Sequence, residues 1–242
     1  MEIKNLKLLV VGASGVIGGE LAAAAAARGA HVAVAGRDPQ RLAQAAGRAR
    51  AGTGDVFDAY DLEACRALAA NASERLGGLD SVLVAIGAVA FGACAQLGPE
   101  VEEHLMTVNA LAPMAVLAGA LPLLGPGRSA GAITGVIVDH PLVGTAAYRA
   151  SKAALSAWLD TARAEHAGRG VAVLDARLPH LDTGFAGRAV AGTAPTLPPG
   201  ADLHRWVGAV LDALVDGTAV LTPHGPHGEP SARASAAPRG VR

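Results

Sequence analysis

Two side chains one helical turn apart could move a proton. Tyr148-Arg149-Ala150-Ser151-Lys152 spaces a phenol and an ammonium at i and i+4. On a helix that spacing puts both on one face, with Cβ atoms roughly 5–6 Å apart. A free phenol titrates near pH ~10, too high for efficient proton exchange around neutrality. A cation one turn away stabilises the phenolate and lowers that value. On residue type alone, the pair is also what a half-buried tyrosine beside a surface lysine looks like, so its surroundings must decide.

A second cluster binds rather than reacts. Val11-Gly12-Ala13-Ser14-Gly15-Val16-Ile17-Gly18 follows an apolar run of strand length and opens a segment of helical composition. Gly12 permits a tight turn, Gly15 lets the N–H groups around Ser14, Val16 and Ile17 approach a pyrophosphate, and Gly18 lets the helix pack closely on the sheet. The helix start adds a dipole that favours phosphate. In a chain with 31 glycines such a cluster can be accidental, but strand before and helix after make it a dinucleotide turn. The next strand ends Val34-Ala35-Gly36-Arg37. An acidic residue there serves the ribose of NAD, whereas an arginine suits a 2′-phosphate. Arg37 therefore points to NADP(H) over NAD(H), the alternative being a solvated arginine beside the helix cap Asp38.

The elements that must position these groups alternate. Lys7–Val11, His31–Ala35, Ser81–Ala85, Gly131–Val138 and Val171–Ala176 read as buried parallel strands. Gly15–Arg28, Pro39–Ala49, Leu62–Leu76, Glu100–Leu124 and Thr145–Ala167 read as helices, with a weaker third strand near Ala49–Asp55. Strands separated by helices need crossovers, hence a single-domain α/β Rossmann fold: a doubly wound parallel sheet with helices on both faces. Residues 1–222 form this domain, completed by a helix Ala201–Val215 and a strand Thr218–Leu221. The Gly/Pro/Thr-rich Pro179–Gly200 is long for a loop and reads as a substrate-binding lid. Pro223–Arg242 reads as a disordered tail; His224 and His227 in it have metal-binding side chains, but a solvated linker is the favoured reading.

With 242 residues and 51% apolar composition, the chain can bury a core. Twenty Lys and Arg against 21 Asp and Glu give no electrostatic case for nucleic acid. Cys65 and Cys94 lack metal spacing and read as small core residues. The start Met-Glu-Ile-Lys-Asn has no signal-peptide layout. The Leu21–Ala27 run, bounded by Glu20 and Arg28, is far below the ~20 residues of a membrane span. The expectation is a cytoplasmic protein with no membrane partner.

The glycine turn, Gly36-Arg37, Asp55-Val56, Val108-Asn109, Tyr148-x-x-x-Lys152 and Pro179-x-x-x-Thr183 occur in this order. Through them, from about Leu6 to Leu221, the chain resembles the short-chain dehydrogenase/reductase family. That resemblance implies a ketoreductase or alcohol dehydrogenase in which Tyr148 exchanges a proton with the substrate. Lys152 would hold the nicotinamide ribose and lower the phenol's pKa, and Asn109 would anchor a proton-relay water. Asp55 and Val56 would border the adenine, Thr183 would touch the carboxamide, and Gly87 and Pro179 would complete the cofactor-facing set. The resemblance also implies a homodimer or homotetramer acting on a small carbonyl or alcohol.

The chain departs from the family pattern in four places. Its glycines run G-x-x-G-x-x-G, a spacing more usual in longer members. Of the family's Asn-Asn-Ala-Gly stretch only the glycine survives, in Val84-Ala85-Ile86-Gly87. The expected serine before Tyr148 is missing; Thr134, fourteen residues upstream and one more than the commonest separation, is the replacement expected here, or else an ordinary strand threonine. His180 follows Pro179 where glycine is usual. Asp139, His140, His180 and Phe185 belong to loops beyond strand carboxyl ends and are the expected pocket residues, although loop histidines are also commonly just solvated. Phe91 and Trp206 read as packing residues that could line the pocket. The altered serine leaves open a redox-neutral epimerase, dehydratase or cyclase, and the degraded Asn-Asn-Ala-Gly stretch leaves open a non-catalytic NADP-sensing protein.

Overall fold

The computed structural model describes residues 1–224 and 228–234. Strands β1 (Lys7–Val11), β2 (His31–Gly36), β3 (Asp55–Val56), β4 (Ser81–Val84), β5 (Ser129–Ile133), β6 (Ala172–Ala176), β7 (Val220–His224) and β8 (Glu229–Arg233) form one sheet in the order β3-β2-β1-β4-β5-β6-β7-β8. All neighbours pair parallel except β7 and β8. The chain direction across the sheet reverses between β1 and β4, and there the strand carboxyl ends open a crevice.

Strand residues alternate between two cores. On one face Leu8, Val10, Val34 and Leu83 pack with Trp206 and Leu211, under helices α1 (Val16–Ala27), α2 (Pro39–Arg48) and α7 (Leu203–Asp216). On the other, Leu9, Val11, Val82 and Val84 pack with Leu117 and Leu159, under α3 (Leu62–Leu76), α4 (Pro99–Met106), α5 (Ala112–Ala120) and α6 (Ala146–His166). Trp206 is thus a core residue. Asp38, Asp61 and Asp202 cap α2, α3 and α7 by accepting from the N–H three residues on.

The expected single helix Glu100–Leu124 is interrupted. A π-turn at Thr107–Leu111 separates α4 from α5, with the Ala112 N–H reaching Thr107 O five residues back. Pro113 is the physical reason: it has no N–H to donate to the Asn109 carbonyl at helical spacing. By length and composition the 25-residue stretch Pro99–Leu123, with a mean hydropathy of 1.6 in its most apolar 18-residue window, could cross a membrane. In the fold its apolar side, including Val116 and Leu117, is spent against the sheet.

Other boundaries shift. The strand expected to Val138 stops at Ile133, because Gly135 turns the backbone to φ +119° and Val136–Val138 follow as a 3₁₀ turn. The tail expected to be disordered from Pro223 instead begins inside β7, and Glu229–Arg233 returns antiparallel to it as β8. Its apolar and β-competent Val220–Thr222 run offers an edge for this pairing. His224 ends β7, while His227 and 235–242 lie outside the described residues. Cys65 is buried, and burial with Asp61 and Asp58 nearby pushes its thiol up to about 11. Cys94 is exposed, contrary to its core reading, because it falls in the loop after β4 rather than in an element.

Candidate active site

Val11 ends β1 and Gly12 turns at once, at φ +97°; a Cβ there would lie 2.6 Å from the Ala85 carbonyl oxygen. Only glycine fits both demands. A Cβ at Gly18 would overlap the Gly12 carbonyl, so the first turn of α1 sits directly on the bend. Gly15 is the N-cap of α1 and has no capping side chain, which leaves the first N–H groups free for an anion. Ser14, Gly15, Val16 and Ile17 line a cleft of about 500 Å³. These features fit a dinucleotide pyrophosphate.

Arg37 lines the same cleft and, among the described residues, makes no ion pair. Asp38 caps α2 through the Arg41 N–H, and the Arg41 guanidinium lies 3.7 Å from its carboxylate. Arg41 also faces the cleft. The sequence reading missed it; a second arginine one turn after Arg37 is the signal that would have found it. Asp55 and Val56 are not among the lining residues. Asp55 is instead held two-pronged by Arg75 of α3, and Val56 is exposed. The Asp55 carboxylate is thus committed to Arg75.

At the other end of the cleft stand Tyr148 and Lys152, on one face of α6. The Tyr148 ring packs on Ala88, Ala90 and Val108 and meets Phe185 at a centroid distance of 6.4 Å. Lys152 is 3% exposed, and its Nζ donates to the Ile133 carbonyl at 3.1 Å. A Cβ on Gly87 would come within 3.2 Å of Asn109 Oδ1 and 3.3 Å of Lys152 Nζ, so a side chain there would press on both groups. Asn109 accepts from Ala88 N and donates to Ala88 O, both at 2.9 Å, and donates to Ser151 Oγ at 3.0 Å. Its side chain thus supplies hydrogen bonds that the altered Val84–Gly87 stretch lacks.

Electrostatics correct one expectation. Burial pushes the Tyr148 phenol up to about 12, and pushes the Lys152 ammonium down to about 8 despite the opposing pull of Asp175. The ammonium is directed at the Ile133 carbonyl, and desolvation dominates both shifts.

Thr134 lines the cleft with its hydroxyl turned away from it. Its hydroxyl donates to the fully buried Asp175 on β6, so that proton is not available to a substrate oxygen. The position thirteen before Tyr148 is Gly135. Thr145, missed in the sequence, lines the cleft and donates to Leu142 O at 2.6 Å, which leaves its oxygen as an acceptor.

Of the expected pocket residues, His180 and Phe185 line the cleft, as do Pro179, Thr183 and Phe91. His180 Nε2 lies 3.0 Å from Asp182 Oδ1. Asp139 and His140 do not line it: Asp139 pairs with Arg177 at 2.6 Å, because the 3₁₀ turn carries it away from the strand end, and His140 is exposed. The 179–200 loop is closed at its base by the Leu181–Ala201 bridge. It is tied across the cleft by Val190 N to Val89 O at 2.8 Å and Phe91 N to Ala191 O at 2.9 Å.

The short chain dehydrogenase family model matches residues 7–193, well over half of the chain. The chain belongs to this family. As a short-chain dehydrogenase/reductase it is an oxidoreductase that uses a nicotinamide cofactor. No curated protein matches it. Among solved structures it is similar to a dehydrogenase/reductase from Sinorhizobium meliloti 1021, with 24% identity, TM-score 0.76, and 88% of this chain and 89% of that one covered. It is also similar to a short-chain dehydrogenase from Burkholderia cenocepacia J2315 in complex with NADP, with 23% identity, TM-score 0.76, and 88% and 92% covered. A short-chain dehydrogenase/reductase from Serratia marcescens BCRC 10948 matches with 19% identity, TM-score 0.76, and 88% and 92% covered. At these identities the likeness is one of fold.

Proposed function

We propose that this short-chain dehydrogenase/reductase is an NADP-dependent enzyme that interconverts a ketone and a secondary alcohol, with Tyr148 as general acid and base. The observation that carries this reading is that Tyr148 and Lys152 line the same cleft as the anion-binding turn Ser14–Ile17. When bound there, the nicotinamide would supply or accept the hydride. Tyr148 Oη would give its proton to the carbonyl oxygen in reduction and take it back in oxidation. Lys152 would hold ribose hydroxyls and, once directed at them, stabilise negative charge on the phenol. Arg37 and Arg41 would meet a 2′-phosphate, and Thr183 and Pro179 would border the nicotinamide. The bound NADP of the Burkholderia cenocepacia structure supports the same cofactor.

The substrate end of the cleft is walled by Val89, Phe91, Ile137, Leu142, Phe185 and Leu197, which favours a carbonyl carried on an apolar frame. A domain that runs through β8 rather than stopping at 222, a cytoplasmic location and a homodimer or homotetramer complete the reading. The sequestered Thr134 hydroxyl favours one second reading, a redox-neutral epimerase, dehydratase or cyclase that borrows the same cofactor. The test is NADPH and NADH binding by fluorescence, followed by a carbonyl panel read by NADPH absorbance. Turnover lost in Tyr148→Phe by about 10²–10⁴-fold, with NADPH binding kept, is the expected result. Binding of neither cofactor would overturn the proposal, and product formed without NADPH consumption would replace it with the second reading.

A further inference from the structure

Asp175 on β6 has no solvent exposure and is committed on every side. Its Oδ1 accepts from the Thr134 hydroxyl. Its Oδ2 accepts from Ser156 Oγ at 2.7 Å and from Arg177 Nε at 2.8 Å. Arg177 also donates to Ser156 Oγ at 2.9 Å and to Asp139 Oδ1 at 2.6 Å. Two of these partners belong to the reacting frame. Thr134 directly follows Ile133, whose carbonyl holds Lys152 Nζ. Ser156 stands one turn beyond Lys152 on α6.

A buried carboxylate is costly unless it is paired, and an apolar residue of similar volume would pack the β6–α6 contact at least as well. The charge at position 175 therefore calls for an electrostatic account. Lys152 supplies one, since its buried ammonium has a neutral carbonyl as its hydrogen-bond partner. We infer that Asp175 is a positioning residue: its carboxylate locks the Thr134 corner onto the Ser156 turn of α6 and keeps Lys152 in its ammonium form.

The charged and titratable groups around Lys152 are few. Tyr148 lies on its own helix, Asp175 and Arg177 on and just after β6, and Asp139 behind Arg177. The loop after β4 presents Gly87 and the π-turn presents Asn109, neither of which titrates; His180 shares the cleft. Lys152 and Arg177 thus balance Asp175 and Asp139. Burial drives the ammonium down and Asp175 opposes it. Neutralising Asp175 removes the charge that opposes the burial of Lys152, whereas neutralising Arg177 frees Asp175 from its ion pair and leaves more of its charge to act on Lys152.

This role rests on the Tyr148–Lys152 reading, but its test needs no turnover. The chain has three lysines, Lys4, Lys7 and Lys152, so ¹³Cε-lysine NMR of the ligand-free protein follows each titration separately. The Lys152 midpoint should lie below the other two. Asp175→Asn should shift it further down by roughly one pH unit or more, and Arg177→Met should shift it up. Simple loosening of the site would move both variants the same way. An unmoved Lys152 midpoint in Asp175→Asn overturns the proposal. If that variant does not fold, Arg177→Met decides alone: an upward shift supports it, and no shift or a downward one overturns it. A chain that fails to reduce carbonyls would defeat the proposed function and leave this titration unchanged.

Discussion

Asn109 brackets the Ala88 peptide unit: its Oδ1 accepts from the Ala88 N–H and its Nδ2 donates to the Ala88 carbonyl, each at 2.9 Å. The π-turn at Thr107–Leu111 thereby fastens the segment after β4, which carries Gly87 against Lys152. Asn109→Ala leaves both Ala88 groups buried and unpaired. At about 1–3 kcal/mol for each orphaned group, the variant should be roughly 2–6 kcal/mol less stable, read as a lower midpoint in urea with an unchanged slope.

Arg37 bears on cofactor choice. Arg37→Ser should weaken NADPH about 10- to 100-fold, the loss of a charge-assisted contact, and leave NADH almost unchanged. Fluorescence titration of both nucleotides checks this. An equal loss for both would remove Arg37 from any 2′-phosphate site and leave Arg41 as the sole candidate.

Gly18→Ala tests the turn from the packing side. The new methyl would overlap the Gly12 carbonyl, and backbone has little room to yield. Thermal melting should show a loss of about 1–3 kcal/mol, together with weaker binding of NADPH and NADH alike, since the bend that carries Ser14 and Gly15 must move.

The depressed Lys152 gives a pH signature in stability. Its folded value is about 8, against ~10.4 in an unfolded chain. Between those values the unfolded state binds more protons, so raising the pH stabilises the fold. The cost of a buried ammonium is full below about pH 8 and gone above ~10.4. The stability gained by Lys152→Met over the parent should therefore shrink steadily across that window in denaturation curves. Tyr148, shifted upward, acts in the opposite sense above pH ~10 and is common to both proteins. A constant gap would show that Lys152 is not depressed.

Features fixed by local spacing were legible in the sequence. The i, i+4 placement of Tyr148 and Lys152 follows from helix geometry alone, and the Gly12–Gly18 turn from the strand and helix that flank it. Partner choice between distant side chains was not legible. Thr134 meets Asp175 across 41 positions because β5 and β6 pair with Ala132 opposite Asp175, a register that composition does not encode. Asp139 with Arg177 and Asp55 with Arg75 are of the same kind: the one is expected from its loop position and the other from its motif position, and each is claimed by an arginine from another element. The π-turn lay within reach, since Pro113 stands four residues after Asn109. The β8 hairpin did not, because a Pro/Gly/Ser-rich stretch borrows its strand character from the edge it joins.

Gly135 carries a consequence for engineering. With φ at +119°, the backbone there adopts a conformation that L side chains rarely reach. Replacing this glycine with serine would strain the corner between Thr134 and Val136, which Arg149 grips through the Ile137 and Val138 carbonyls at 3.0 Å each. A single glycine-to-serine exchange is therefore not enough to set a hydroxyl at this corner, and engineering one calls for remodelling the segment.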